Sequence, residues 1–137
     1  MNNLNIYCDG GARGNPGPGG CACIIEKDGK VIIKKSKFLG RCTNNIAEYS
    51  AVLLAFEWMS GYEGVENLDI NFFLDSELVV NQLTGKYRVK NNNLKVIYLK
   101  IKLIENKLTN NILYNAIPRE KNVLADFLVN KVIDENM

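Results

Sequence analysis

Histidine is absent from this 137-residue chain, which removes imidazole as general base, proton shuttle or metal ligand. The four cysteines, Cys8, Cys21, Cys23 and Cys42, fall in the first third and never at CxxC spacing. A zinc site would need all four thiols at unusual intervals, and the plainer reading is reduced, half-buried small apolar residues. No apolar run approaches the roughly 20 residues of a membrane span. The opening Met1-Asn2-Asn3-Leu4 has neither the basic nor the apolar stretch of a signal peptide. A cytoplasmic setting with no membrane partner is therefore expected. Net charge is only +2, which tolerates a nucleic-acid ligand without announcing one. There is no internal repeat, low-complexity tract or linker, so residues 1–137 are expected to form a single domain.

What is present is an ordered change of period. Leu4, Ile6 and Cys8 alternate with Asn5, Tyr7 and Asp9, a strand expected to end at a Gly10-Gly11 turn. A Gly/Pro-rich stretch to Gly20 leads into a second strand around Cys21–Lys27. The Asp28-Gly29 pair signals a hairpin, and Val31–Phe38 is the return strand. The period then becomes 3.6. Ala47, Ala51, Leu54, Ala55 and Trp58 share one face of a helix running to about Ser60, ended by Gly61 and Gly64. Leu68–Leu74 reads as a buried strand, and Asp75-Ser76 as capping chemistry for a short helix towards Leu83 that Gly85 stops. Leu94–Leu108 is a second long helix, Ile112–Ile117 a last strand and Glu120–Ile133 a closing helix. The string βββαβααβα implies an α/β fold, one mixed sheet flanked by helices.

Four acids stand where an acid needs explaining. Asp9 and Asp75 end apolar strands, Glu48 opens a helix, and Asp126 lies within the closing helix between Leu124-Ala125 and Phe127-Leu128. Each has a plain structural reading. Asp75 suits an N-cap, Glu48 a capping box with Asn45, Asp9 a turn, and Asp126 a solvated helix face. Taken together, strand ends and helix starts on one edge of a mixed sheet converge on the crevice where such folds bind ligands. Four carboxylates gathered there repel one another, and a divalent cation removes the conflict. Mg²⁺ suits such a site because it prefers hard oxygen ligands, retains water and accepts substrate phosphate.

These residues also carry a pattern. Tyr7-Cys8-Asp9-Gly10-Gly11 with Asn15-Pro16-Gly17 resembles the opening of type 1 ribonucleases H. Thr43-Asn44-Asn45-Ile46-Ala47-Glu48 is similar to that family's TNN-x-x-E segment, and Leu74-Asp75-Ser76 to its third acidic motif. Arg119-Glu120-x-Asn122-x-x-Ala125-Asp126 resembles its last. The resemblance covers essentially the whole chain. It implies a ribonuclease H-like, five-stranded mixed sheet, with Asp9, Glu48, Asp75 and Asp126 as catalytic residues and ligands of two Mg²⁺ (or Mn²⁺) ions. The implied activity is an endonuclease cutting the RNA strand of RNA–DNA hybrids and leaving 5′-phosphate and 3′-hydroxyl ends. The family's counterpart of Glu48 also senses the ribose 2′-hydroxyl. Gly10, Gly11, Asn15, Asn44 and Asn45 are the implied substrate contacts, with Arg13 and Thr43 as further candidates for phosphate. The glycines of the stretch to Gly20 are a plain strand connection or a place where backbone amides approach RNA. Asn44 and Asn45 also suit a helix N-cap.

The chain departs from many relatives in three places. The loop histidine before the last acid is missing, with Ile117-Pro118-Arg119-Glu120-Lys121 in its region and Arg119 or Glu120 as substitutes. The basic helix that grips the hybrid in some relatives has no room, leaving Lys86, Arg88 and Lys90 as a reduced patch or a solvated loop. Glu77 follows Asp75-Ser76 where many relatives have glutamine. Competing readings are a non-catalytic hybrid-binding module, another nuclease or strand-transfer enzyme on the fold, and a plain α/β domain. A monomer with no obligatory protein partner is the expected state.

Overall fold

The computed structural model describes residues 2–137. Five strands, β1 (Asn3–Ala12), β2 (Gly17–Lys27), β3 (Lys30–Cys42), β4 (Asp69–Leu74) and β5 (Ile112–Ala116), form one sheet in the order β3-β2-β1-β4-β5. The first three are antiparallel, while β4 runs parallel to β1 and β5 parallel to β4. The helices are α1 (Asn44–Ser60), α2 (Glu77–Leu83), α3 (Asn92–Lys107) and α4 (Val123–Glu135), with short 3₁₀ turns at Glu63–Val65 and Arg119–Lys121. The element order is the one the periodicities predict. None of the described helices is long and apolar enough to cross a membrane.

Strand alternation sorts residues onto two faces. Leu4, Ile6 and Cys8 of β1, Cys21, Cys23 and Ile25 of β2, and Ile70, Phe72 and Leu74 of β4 enter the main core with α1. The opposite residues on β2 meet α4, where Ala22 packs with Val129 and Ile133 in a smaller cluster of their own. Helix α1 lies between the sheet and α3, so it is buried on more than the expected stripe. Tyr49, Val52, Phe56 and Met59 are buried along with Ala47, Ala51 and Ala55, whereas Leu54 and Trp58 are only half-buried. Cys8, Cys21 and Cys23 are fully buried free thiols and Cys42 is half-buried. No group of metal-binding side chains forms around them among the described residues.

Three local expectations are corrected. The first strand does not turn at Gly10-Gly11. It runs on to Ala12, with Gly10 paired to Cys21 and Gly11 to Gly20. A side chain on Gly10 would lie 2.2 Å from the carbonyl of Ala47, so this glycine lets the N-terminus of α1 rest against the strand. Gly20 likewise makes room for Val132 and Ile133 of α4. The cap of α1 is Thr43, whose side chain accepts from Ile46 N at 3.3 Å, not Asn44 or Asn45. The cap of α2 is Ser76, accepting from Val79 N at 3.3 Å, which leaves the Asp75 carboxylate free of that task.

Candidate active site

Parallel pairing sets Tyr7 of β1 beside Phe73 of β4, their rings stacked with centroids 4.9 Å apart. Two residues further on stand Asp9, still within β1 on the face turned away from the main core, and Asp75, just past the end of β4. Glu48 arrives from the first turns of α1, held close by the Gly10–Ala47 contact. Asp126 arrives from the first turn of α4. That helix is tied to β1 near Asp9, because buried Asn122 donates through Nδ2 to the carbonyl of Cys8 at 2.8 Å. The four acids line one cavity together with Gly10, Gly11, Arg13, Asn44, Arg119 and Asn130.

Their charges conflict. Burial, then the nearby charges of Asp75 and Asp126, push the Asp9 carboxyl up to about 8, against a hydrogen bond from the Gly10 backbone. Burial pushes Glu48 up to about 7, although a hydrogen bond from Ser76 and the Arg119 guanidinium act the other way. Asp75 is raised by burial and by Asp126, while Arg119 and Asn122 oppose the rise. Arg119 is thus a counter-charge inside the site. The second lining cation, Arg13, is paired with Asp134.

Such a set fits a hard divalent cation. The donors are carboxylate oxygens, they share one cavity, and beside the larger effect of burial the charges of Asp75 and Asp126 raise the Asp9 carboxyl, a repulsion that a bound cation would relieve. Among the described residues no three acidic, cysteine or histidine side chains stand close enough together to hold a metal ion as they are.

Of the substrate contacts expected from sequence, Gly10, Gly11, Arg13 and Asn44 line this cavity, and Asn15, Thr43 and Asn45 are not among its lining. Asn15 Oδ1 accepts from Asn44 N at 2.9 Å, and Asn44 Oδ1 accepts from Ala12 N at 2.8 Å, so the two asparagines stitch the β1–β2 hairpin to the start of α1. Arg119 enters the cavity and Glu120 does not. Glu77 is exposed in the first turn of α2, where its charge complements the helix N-terminus. Asn122, Asn130 and Asp134 carry structural roles that sequence reasoning missed. Asn130 and Asp134 follow Asp126 at four-residue intervals, a spacing that places them along one side of the helix.

The family described as Reverse transcriptase-like matches residues 7–132. The bifunctional protein Rv2228c of Mycobacterium tuberculosis is 34% identical over 131 residues, covering 94% of this chain and 35% of the relative. Ribonuclease HI of Halobacterium salinarum is 30% identical over 133 residues, 96% of this chain and 65% of the relative. The chain thus spans about a third to two thirds of these relatives. Among solved structures, LC11-RNase H1 in complex with an RNA/DNA hybrid superposes with a TM-score of 0.92 at 40% identity, covering 97% of this chain and 98% of that one. RNase H1 of Halobacterium salinarum superposes with a TM-score of 0.89 at 31% identity, covering 97% and 98%.

Proposed function

This chain belongs to the reverse transcriptase-like family as a type 1 ribonuclease H, and we propose that it is an endonuclease hydrolysing the RNA strand of RNA–DNA hybrids. The observation that carries the reading is the convergence of Asp9, Glu48, Asp75 and Asp126 from four separate elements on one cavity. A fold alone would not support it, because function resides in the site.

Asp9, Glu48, Asp75 and Asp126 are the residues that would hold two Mg²⁺ or Mn²⁺ ions. When bound, a pair of divalent ions supplies activation of water for attack on the phosphodiester and charge stabilisation at the leaving oxygen. Water oxygen bonds to phosphorus and the 3′-oxygen departs as a hydroxyl, leaving a 5′-phosphate. Gly10, Gly11 and Asn44, which line the same cavity, are read as contacts to the strand, and Glu48 as acceptor from a ribose 2′-hydroxyl, the group that separates RNA from DNA. Arg119 balances the acids in the absence of the loop histidine. Asn15 and Thr43 act on substrate through the ordering of the β1–β2 hairpin and the start of α1, while Asn45, in the first turn of α1, is kept as a contact to the hybrid. The reading includes a monomer acting in the cytoplasm without an obligatory protein partner.

The test is cleavage of end-labelled RNA–DNA hybrid, RNA duplex, DNA duplex and single-stranded RNA in Mg²⁺, Mn²⁺ or EDTA. Metal-dependent cutting confined to the hybrid's RNA, and lost in Asp75→Asn, is the expected result. Hybrid binding without cutting in either metal would sink the enzymatic reading in favour of a binding module.

A further inference from the structure

One side chain joins the end of β1 to the C-terminal half of α4. Arg13 Nη1 pairs with the Asp134 carboxylate and lies 3.5 Å from Met137 Sδ. Its Nη2 donates to Asn130 Oδ1 at 3.1 Å and to the Asn130 carbonyl at 3.4 Å. Both amino groups of the guanidinium fork are therefore committed to α4, and a phosphate would have to displace partners to reach them. Asn130 in turn donates through Nδ2 to the carbonyl of Asp126 at 3.1 Å.

A second tie stands at the other end of the same helix. Asn122, four residues before Asp126, donates to the carbonyl of Cys8, the residue before Asp9. Asn130, four residues after Asp126, is held by Arg13, four residues after Asp9. Asp126 thus lies between two fastenings that join its helix to the strand carrying Asp9. The apolar packing beneath α4 is a small cluster of Ala22, Val129 and Ile133, separate from the main core. Apolar contact is non-directional and sets how near the helix lies. Directional ties fix its rotation and its position along the sheet.

We infer that Arg13, with Asn130 and Asp134, is a positioning device that sets Asp126 against Asp9, and not a contact to substrate phosphate. This rests on reading Asp126 as one of the metal-holding acids. Arg13→Gln, Asp134→Asn and the double variant test it by steady-state kinetics on hybrid, amide hydrogen exchange of α4 and melting temperature across a Mg²⁺ titration. Each single variant should lower kcat about tenfold or more, with KM within about twofold, as expected when a reacting group is displaced without loss of binding. The double variant should be no worse than either single one, because both remove the same tie. Arg13→Lys, which keeps the charge and loses the fork, should recover only part of the loss. Exchange in α4 should accelerate, and the Mg²⁺-induced rise in melting temperature should need more metal.

The opposite pattern overturns the inference. If Arg13 grips phosphate, Arg13→Gln raises KM and flattens the salt dependence by about one ion, while Asp134→Asn frees the arginine and lowers KM. Unchanged kcat and unchanged α4 exchange in both variants also overturn it. If Arg13→Gln does not fold, Asp134→Asn decides alone, since its side chain is 65% exposed. Hydrogen exchange keeps the two readings apart: a wild-type chain that cuts no hybrid sinks the ribonuclease reading, whereas α4 exchange still reports on the tie.

Discussion

Asp9 ionises only against burial and two neighbouring carboxylates, which push its carboxyl up to about 8. In the unfolded chain an aspartate titrates near 4. Between those values the folded, metal-free chain retains a proton that the unfolded chain has released, so stability falls as pH rises through that window. Glu48, pushed up to about 7 chiefly by burial, adds to the same slope. In EDTA the melting temperature should therefore decline from about pH 4 to about pH 8. Asp9→Asn should flatten the decline and stabilise the metal-free protein at the alkaline end by about 1 kcal/mol or more, roughly 3–5 °C, while abolishing cleavage of hybrid. Mg²⁺ should raise the wild-type melting temperature by mass action and leave that of the variant less affected. Loss of fold together with activity would show Asp9 to be structural.

The absence of histidine predicts no imidazole inflection near 6.5 in the pH–rate profile, but Glu48 titrates close to that range without metal. Metal separates the two. A bound cation favours the ionised carboxylate, so raising Mg²⁺ should move the acid limb of kcat/KM to lower pH. An inflection near 6.5 that stays fixed at every Mg²⁺ concentration would contradict this assignment. All four acids were legible as sequence, because each breaks an apolar pattern at a strand end or helix turn. Their mutual repulsion follows from gathering them in one crevice, but how much burial adds to it, and that Arg119 rather than Glu120 enters the cavity, depend on distances that no spacing along the chain encodes.

The order and type of the elements follow from their periods, and the differences lie where one element touches another. Gly10-Gly11 has the composition of a turn, yet both residues stay in the ladder because α1 leans on the strand there. Leu54 and Trp58 fall on the inward stripe of a helix covered on one side, but α1 is covered by both the sheet and α3. Thr43 caps α1 while Asn44 is drawn to Ala12 across the hairpin. A test at this scale is Gly10→Ala. Its new Cβ would fall 2.2 Å from the Ala47 backbone, and backbone cannot yield as a side-chain tip does. The start of α1 must retreat and carry Glu48 with it. Calorimetric melting should show destabilisation of about 1–3 kcal/mol, and kcat at saturating Mg²⁺ should fall. Wild-type stability and turnover in this variant would show that the strand–helix approach does not hold Glu48.

At the scale of the whole molecule, a net charge of +2 meets the polyanionic hybrid proposed as substrate. The connection from Thr84, which ends α2, to Asn92, which opens α3, is short and holds no helix of its own. Lys86, Arg88 and Lys90 are exposed along it, next to exposed Tyr87. Further lysines, Lys34, Lys35 and Lys37, are exposed on β3, but that strand is an edge of the sheet, where lysine also blocks pairing with another chain. If the grip on phosphates rests on the few cations of this connection, affinity for hybrid should be modest, with a salt slope set by their small number. In fluorescence anisotropy, the joint change Lys86→Gln and Lys90→Gln should weaken binding about equally for hybrids of different sequence. The slope of log K against log salt should lessen by roughly one for each phosphate that is no longer neutralised. Turnover at saturating hybrid should stay at the wild-type value, because neither lysine lines the cavity that holds the four acids. An unchanged slope would make the connection a solvated loop and leave the electrostatic grip to the site itself.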